Sequence, residues 1–205
     1  SIGQFAFDQC YSIQNMELPT TLTTIGSSAF RDCKNLTSVE IPKGVTQLSN
    51  SAFYGCNKLE TVIFNEGLQT ISSSAFGYCI SLKEVDFPAS LKTIGSYAFG
   101  NCSNLSRVVF KEGLTTLQYE AFEYCHALTE VTLPSTLMYC YYPFYCCNNL
   151  KTVKCLSLIP PANEDNRILY SDNMESCVLY VPAWTINKYK LTKGWDQFQT
   201  IKPLD

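Results

Sequence analysis

The chain repeats itself every 23 residues, and an Ala-Phe pair marks each copy. The pairs are Ala6-Phe7, Ala29-Phe30, Ala52-Phe53, Ala75-Phe76, Ala98-Phe99 and Ala121-Phe122, and a seventh, Pro143-Phe144, follows after 22 residues. A cysteine lies three residues after each Phe, at Cys10, Cys33, Cys56, Cys79, Cys102, Cys125 and Cys147. A period of this length is typical of solenoids, in which each repeat forms one turn and stacks on the next. The repeat therefore predicts one continuous body, which displays a long ordered surface.

Composition narrows the classes of protein that fit. Hydrophobic residues make up 46% of the chain and charged residues 16%, which predicts a folded interior. The 15 basic and 18 acidic residues give a net charge of −3, and the basic residues do not cluster. We therefore expect neither nucleic acid nor an anionic membrane as a partner. The apolar runs are shorter than a membrane span, so no membrane insertion is predicted for this segment.

Each repeat contains two short extended stretches and a turn. In the second copy, Val39 and Ile41 alternate with polar residues, which predicts a strand with both side chains inward. Pro42 ends this strand, because proline cannot extend the hydrogen-bonded ladder. A second brief strand is predicted to end near Leu48. The following residues predict about one helical turn, with Ser51 as its N-cap.

Stacking brings equivalent side chains into columns. Parallel strands lie ~4.8 Å apart, so the phenylalanines should form a continuous spine and the cysteines a buried column. A disulfide needs Cβ atoms ~3.8 Å apart, so free thiols are predicted for this column. Cys140 and Cys155 occupy core positions of the repeat, whereas Cys146 and Cys177 fall outside it. A bridge between Cys146 and Cys177 stays open as an alternative.

No pattern points to catalysis. Cys140, Cys146, Cys147 and Cys155 lack the C-x-x-C spacing that directs two thiolates at one zinc ion. The single histidine, His126, follows a column cysteine at a position of varied residue type, which predicts a surface turn. Adjacent residues rarely face each other, so a Cys-His nucleophile pair is disfavoured. We assign no catalytic, cofactor-binding or metal-binding residue and predict that the protein is not an enzyme.

Residues between the inward side chains of the first strand must face outward. They form two columns that we take as a candidate partner-binding face, named here the sheet face: Glu40, Thr61, Ile63, Glu84, Asp86, Arg107, Val109, Glu130 and Thr132. Apolar Ile63 and Val109 beside acidic neighbours make a mixed surface that suits a protein partner. An ordinary solvated sheet face is an equally good explanation. The alternation of acidic and apolar residues also hints at a 46-residue double repeat.

A dense aromatic patch surrounds the irregular seventh copy. It consists of Tyr139, Tyr141, Tyr142 and Tyr145. Tyrosine is favoured in binding sites, which gives one explanation. The other, which we favour, is that the rings cover a repeat in which Pro143 replaces the usual alanine.

The repeats predict a solenoid of about seven turns over residues 1–155. Its first residues, Ile2-Gly3, align with the middle of a repeat, so the solenoid starts in mid-repeat without a polar cap. We therefore expect further residues upstream.

Residues 156–205 are predicted to form a C-terminal capping region with one helix near 183–192. Trp184, Tyr189 and Leu191 are the candidates for the buried side of this helix. Trp184 and Trp195 are expected to close the end of the core. An insertion with a polar loop near Asn163–Asn166 precedes the helix.

The motif L-x-x-[IL]-x-x-x-A-F-x-x-C-x-x-L-x-x-V-x-[IF]-P resembles the leucine-rich repeats of BspA-like bacterial surface proteins. The resemblance covers roughly residues 2–155, and its departures are Val45 for the opening Leu and Asn65 and Lys111 for the closing Pro. It implies an α/β leucine-rich-repeat solenoid that is rich in β-structure, with short parallel strands and brief helical turns. One curved right-handed coil with a helical C-terminal cap is expected.

The resemblance also implies a function. Proteins of this kind serve adhesion and recognition, so a host or matrix protein, or a glycan, is the expected partner of a monomeric, non-catalytic module. The expected location is extracellular or on a bacterial cell surface, although no signal peptide is visible in the sequence. The resemblance transfers no cofactor and no ligand-contact residue. The alternative is a passive structural spacer within a longer surface protein.

Overall fold

A computed structural model of the chain describes residues 1–163, 168–169 and 176–204. Within these residues the chain forms short strands, one 3₁₀-helix (Ala183–Thr185) and one α-helix, α1 (Ile186–Leu191). The strands are β1 (Ser38–Ile41), β2 (Gln47–Leu48), β3 (Thr61–Phe64), β4 (Thr70–Ile71), β5 (Glu84–Asp86), β6 (Thr93–Ile94), β7 (Arg107–Val109), β8 (Thr116–Leu117), β9 (Glu130–Leu133), β10 (Tyr139–Cys140), β11 (Thr152–Cys155), β12 (Val178–Val181) and β13 (Thr200–Pro203).

All strand pairs are parallel and join consecutive turns of the solenoid, which we call rungs and number by their spine phenylalanine from Phe7 to Phe144. The second strands form one five-stranded sheet, in the order β10-β8-β6-β4-β2. The first strands pair as β1-β3, β5-β7 and β13-β12-β11-β9. Partners such as Ser38 and Thr61 are one repeat apart, as predicted. The parallel solenoid of about seven turns is therefore confirmed, with very little helix.

The segment around each spine phenylalanine differs from the predicted helical turn. Ser51 has a φ of +55°, in the left-handed region, whereas an N-cap residue is normally extended. Its N–H donates to Ser73 of the next rung at 3.0 Å, and Phe53 donates to Ala75 at 2.8 Å. These bonds between rungs use amides that a helix would bond within the rung. The segment is therefore a series of tight turns, and the N-cap assignment is wrong.

The phenylalanines form the predicted spine. Neighbouring ring centroids between Phe7 and Phe122 lie 5.1–5.3 Å apart, with planes within 12° of parallel. The last step, from Phe122 to Phe144, widens to 5.7 Å and 24°, where the repeat is one residue short. Phe30 is fully buried, whereas Phe7 on the first rung is 37% exposed.

A second aromatic column packs against this spine from the first strands. It contains Phe64, Phe87 and Phe110, whose neighbouring ring centroids are 5.5 and 5.7 Å apart. Each ring meets a spine ring edge to face, for example Phe64 against Phe76 at 5.6 Å. The middle rungs therefore hold an aromatic core two columns wide, in which stacked and edge-to-face contacts both contribute.

The cysteine column is buried except for partly exposed Cys10, and all eleven cysteines are free thiols. Each buried column thiol donates to the spine phenylalanine carbonyl of the preceding rung, as from Cys79 to Phe53 at 3.3 Å and from Cys102 to Phe76 at 3.2 Å. Burial raises the pKa of the Cys102 thiol to about 12, so the group stays neutral. The thiol thus fills the core and satisfies a backbone acceptor between rungs.

Alternate rungs differ in a way that supports the 46-residue double repeat. The first-strand ladder is interrupted between β3 and β5 and between β7 and β9. In rungs three and five, Glu66 and Glu112 each bind the next rung, accepting from the amides of Ala89 and Ser90 and from Ser135. The equivalent positions of rungs two and four, Lys43 and Ala89, carry no carboxylate. Two carboxylate clamps therefore recur at twice the basic period.

These clamps predict a loss of stability in acid. Hydrogen bonds from Ala89 and Ser90 lower the pKa of Glu66 below its usual 4.5. The Glu112 carboxyl is partly desolvated, but hydrogen bonds from Ser135 and Thr136 outweigh this and lower its pKa as well. A lowered folded-state pKa gives stability that is complete above about pH 4.5 and disappears as the pH falls through the folded value.

The measurement is thermal unfolding between pH 6 and 3, approximately the range in which carboxylates titrate. The double variant Glu66→Gln/Glu112→Gln should have a lower melting temperature than the natural chain near pH 6, and the two curves should converge toward pH 3. A constant difference between the two proteins across this range would contradict the role of the carboxylates.

The C-terminal residues continue the same sheet. β12 pairs with β11 and with β13, and Leu179 lies between Val153 and Ile201. Tyr189 and Trp195 are buried, with ring centroids 5.2 Å apart at a right angle. Their polar groups are satisfied, since Tyr189 donates to Ser157 and Trp195 to Pro161, each at 2.9 Å.

Two residues that were predicted to lie on the buried side of the C-terminal helix, Trp184 and Leu191, do not lie there. Trp184 is 80% exposed and Leu191 is 87% exposed. Helix α1 has only six residues and packs one side on the core. Leu191 is two positions beyond buried Tyr189 and so points away from it, while Trp184 lies in the preceding 3₁₀-turn. Of the predicted loop Asn163–Asn166, only Asn163 lies within the described residues.

Candidate functional site

The sheet-face residues lie in register along the solenoid. Glu40 pairs with Ile63, Asp86 with Val109, and Lys154 with Thr132. In each first strand these side chains alternate with buried ones. Val109 and Thr132 are half-buried, and the other predicted members of the face are exposed. The period-two pattern of the sequence thus assigns the columns correctly.

Charged side chains of this face pair with neighbours one rung away. Arg107 lies 3.4 Å from Glu84, and Lys111 lies 3.0 Å from Asp86. Lys154 lies 2.7 Å from Glu130 in the same way. Exposed pairs of this kind contribute only ~0–1 kcal/mol each, so they order the surface more than they stabilise it. Three of the four acidic side chains of the face therefore have a basic partner one rung away.

Two hollows lie on the sheet face and meet at the same residues. The first has a volume of about 650 Å³ and is lined by Met16, Leu18, Glu40 and Asn65, together with Thr61 and Ile63. The second, about 560 Å³, is also lined by Thr61 and Ile63 and extends to Glu84, Asp86 and Arg107. Both volumes fall in the range of ligand-binding clefts, about 300–1,000 Å³.

Ile63 is the apolar residue at the junction of these hollows, and half of its surface is exposed. Asn65 donates to Glu40 at 2.8 Å and so fixes one wall beside it. The remaining predicted residues, Val109, Glu130 and Thr132, line neither hollow. The two hollows therefore connect six of the nine predicted site residues, Ile63 among them. Val109 shares β7 with Arg107, whereas Glu130 and Thr132 lie in β9, one rung farther along the stack.

Met16 and Leu18 were not predicted as part of this site. They occupy the repeat positions of buried Val39 and Ile41. They lie on the first rung, where Met16 and Leu18 are only partly buried. Sequence periodicity assigned them to the core, and only their place in the first rung distinguishes them from other inward residues.

The tyrosine patch covers the seventh rung. Tyr139 is exposed and stacks on half-buried Tyr141, with ring centroids 5.9 Å apart. Tyr142 and Tyr145 are also half-buried, and their ring centroids are 5.3 Å apart. Pro143 lacks an N–H, yet its carbonyl still accepts the inter-rung bond from Phe122 at 2.8 Å. The rung therefore keeps its connection to the stack, and the rings lie over it.

The residues considered for catalysis do not form a site. His126 lies in a surface turn, with its ring edge-on to Tyr124 at 5.8 Å, while the Cys125 thiol is buried and donates to Phe99. Cys146 is partly exposed and Cys177 is buried, and both are free thiols. Among the described residues no three His, Cys, Asp or Glu side chains are grouped to hold a metal ion. In the same residues no helix is long and apolar enough to span a bilayer.

Comparison with solved structures gives the same fold. A T. pallidum leucine-rich repeat protein, TpLRR, matches with a TM-score of 0.64 and 29% identity, over 76% of this chain and 72% of that one. A leucine-rich cell surface protein from Faecalibacterium prausnitzii matches with a TM-score of 0.64 and 20% identity, over 98% of this chain. The pneumococcal vaccine antigen PcpA matches with a TM-score of 0.63 and 21% identity, also over 98% of this chain.

This chain spans 60% of the length of each of the last two proteins. A search of curated proteins returns no significant match. The family description "BspA type Leucine rich repeat region" matches six copies, over residues 1–99 and 69–166. These matches cover the repeats that build the spine, the cysteine column and the sheet face. The chain therefore belongs to the family of BspA-type leucine-rich repeat proteins.

Proposed function

We propose that this chain is a non-catalytic recognition module of a secreted or surface-attached bacterial protein, and that it binds a host or matrix protein through the sheet face. The observation that carries the proposal is the pair of hollows that meet at half-exposed Ile63. The surface location is supported by the described location of the F. prausnitzii protein, a cell surface protein of the same fold. The module is proposed to act as a monomer.

Contacts between rungs order the sheet face. Hydrogen bonds between rungs hold the backbone of β1 with β3 and of β5 with β7. Ion pairs from one rung to the next hold the side chains of Glu84, Asp86 and Arg107. A surface that is ordered before binding loses little conformational entropy on association. Central apolar side chains surrounded by polar ones are the usual arrangement of interface hot spots. Ile63, with Glu40 and Arg107 in the surrounding walls, has this arrangement.

The second candidate is a passive spacer, and one observation favours it. The charges of the sheet face are satisfied within the chain, as between Lys154 and Glu130. A face that only meets solvent would need no more than this. The two functions differ in what they predict for Ile63. In a spacer, replacing Ile63 would not change the binding of any partner protein.

The test compares two exposed isoleucines. Ile63 is 50% exposed on the sheet face, and Ile80 is 40% exposed in a turn after a column cysteine. Extracellular-matrix proteins retained by the intact chain would be identified, purified and measured by surface plasmon resonance. Ile63→Ser should weaken binding at least about tenfold, as expected for a hot spot, while Ile80→Ser should leave it unchanged. Retention of no matrix protein, or equal effects of both substitutions, would favour the spacer.

A further inference from the structure

A smaller hollow lies in the turns of rungs three to six and shares no lining residue with the sheet-face hollows. Its volume is about 180 Å³. Three tyrosines, Tyr54, Tyr78 and Tyr97, line it together with Asn101 and Glu123. The rings of Tyr54 and Tyr78 have centroids 5.4 Å apart and are inclined at 57°. We call this hollow the tyrosine cleft.

Two glycines make room for the cleft. Gly77 and Gly100 occupy the position directly after the spine phenylalanine, where neighbouring rungs carry Tyr54 and Glu123. A Cβ at Gly77 would lie 2.9 Å from the Tyr54 ring, and one at Gly100 would lie 3.0 Å from the Glu123 Cγ. The aromatic ring and the carboxylate therefore lean over the glycines from opposite ends of the cleft.

The acidic groups of the tyrosine cleft are Glu123, which lines it, and Glu120, which is hydrogen-bonded to Glu123. Asn101 donates to the Glu123 carboxylate at 3.1 Å. Burial and the neighbouring Glu120, which also hydrogen-bonds to it, raise the pKa of the Glu123 carboxyl to about 7. Burial is the main cause of the raised pKa values of Tyr54 and Tyr97, and Glu123 makes a smaller contribution to both.

No lysine or arginine lines the cleft in the part of the chain that is described. Arg31, which occupies the same repeat position on rung two, is held by both carboxylate oxygens of Asp8, at 2.8 and 3.0 Å. The faces of the tyrosine rings add negative potential to that of the carboxylate. Aromatic ring faces and a carboxylate are both groups that a cation contacts favourably.

We propose that the tyrosine cleft binds the cationic end of a lysine or arginine side chain from a partner protein. A volume of about 180 Å³ is below the ~300 Å³ of small-molecule clefts, and it suits a single side-chain end. Glu123 and Glu120 supply the countercharge, and the tyrosine rings supply cation–π contact. The site is separate from the sheet face, so its test does not depend on partner binding there.

The experiment titrates the intact, isotope-labelled chain with Nα-acetyl-lysine methylamide and with its arginine counterpart, observed by NMR. The amides of Gly77, Gly100 and Glu123 should shift on titration. An opposite charge within hydrogen-bonding range lowers a carboxyl pKa by ~1–3 units, so the pKa of Glu123 should fall by at least about one unit when the probe is bound. The groups facing Glu123 whose titration must be followed with it are Glu120, Tyr54, Tyr97 and Tyr124.

Three variants distinguish binding of the probe in the tyrosine cleft from unspecific binding of cations to exposed carboxylates. Glu123→Gln and Tyr78→Asn should each weaken probe binding about three- to fivefold, whereas Glu84→Gln on the sheet face should not change it. Tyr78→Asn keeps the backbone, because Asn101 has nearly the same φ of +61° at the equivalent position. Unchanged ring signals of the phenylalanine spine would show that each variant is folded.

Three results would overturn the proposal. One is the absence of any shift at the cleft. Another is equal binding of the neutral analogue Nα-acetyl-norleucine methylamide or of methyl glucoside. The third is a response centred on Glu84 and Asp86, because it would show unspecific attraction to exposed carboxylates.

Discussion

Replacing Phe76 by alanine is expected to lower the free energy of unfolding by about 3–5 kcal/mol. The ring is fully buried and stacks between Phe53 and Phe99, at 5.3 and 5.2 Å. It also meets Phe64 edge to face at 5.6 Å. The substitution removes all three ring contacts and leaves a cavity that rigid rungs on both sides cannot close. Urea unfolding followed by circular dichroism measures the change.

The control for this substitution is Phe7→Ala. Phe7 belongs to the same spine but is 37% exposed and has one stacked neighbour, Phe30. Its loss should cost clearly less than the loss of Phe76. Equal unfolding midpoints for the natural chain and Phe76→Ala would refute the stacked spine as the main source of stability.

Replacing Gly113 by alanine is expected to lower the free energy of unfolding by about 2–4 kcal/mol. This figure is the sum of the strain of a left-handed backbone and the cost of overpacking. Gly113 has a φ of +111°, which side chains with a Cβ rarely adopt. An added Cβ would lie 2.5 Å from the Ala89 carbonyl oxygen of the preceding rung. The Gly113 amide also donates to Thr136 at 2.9 Å, so the backbone cannot turn away without losing this bond.

Gly3→Ala is the matched control, since a Cβ there would meet nothing within 4 Å. The same unfolding assay should place this variant close to the natural chain. Equal stability of Gly113→Ala and Gly3→Ala would contradict the close contact between the Gly113 backbone and the preceding rung.

The sequence predicted the columns of this fold because its period is regular. A residue such as Val39 or Ile63 lies in the same column as the residues one repeat before and after it, so the period-two pattern assigns its side. The same reasoning gave the register of Ser38 with Thr61 and the buried thiols.

Features that depend on geometry between rungs were not predictable in the same way. The left-handed φ of Ser51 results from hydrogen bonds to the next rung, which no local propensity encodes. Trp184 and Leu191 were misassigned because a six-residue helix does not show a reliable period. The cleft around Gly77 and Gly100 was not predicted from the sequence. Residue types vary at this repeat position, so two glycines there do not by themselves indicate a cleft.

The sequence predicted which side chains of the candidate site face outward, but it did not predict their ion pairs or the hollows between them. Alternation assigned Glu84, Asp86 and Arg107 to the outer side of the sheet, where they lie. The pairing of Arg107 with Glu84 and of Lys111 with Asp86 requires distances that periodicity does not contain. The central position of Ile63 likewise follows only from the two hollows it joins.

The central claim is that consecutive rungs lie in parallel register one repeat apart, and inter-rung nuclear Overhauser effects test it most directly. With selectively labelled threonine and isoleucine, cross-peaks are expected between Thr70 and Thr93 and between Ile71 and Ile94. Aromatic cross-peaks should likewise join Phe53 to Phe76. Cross-peaks shifted by one residue, or none between residues 23 apart, would contradict the stacked solenoid and the sheet face built on it.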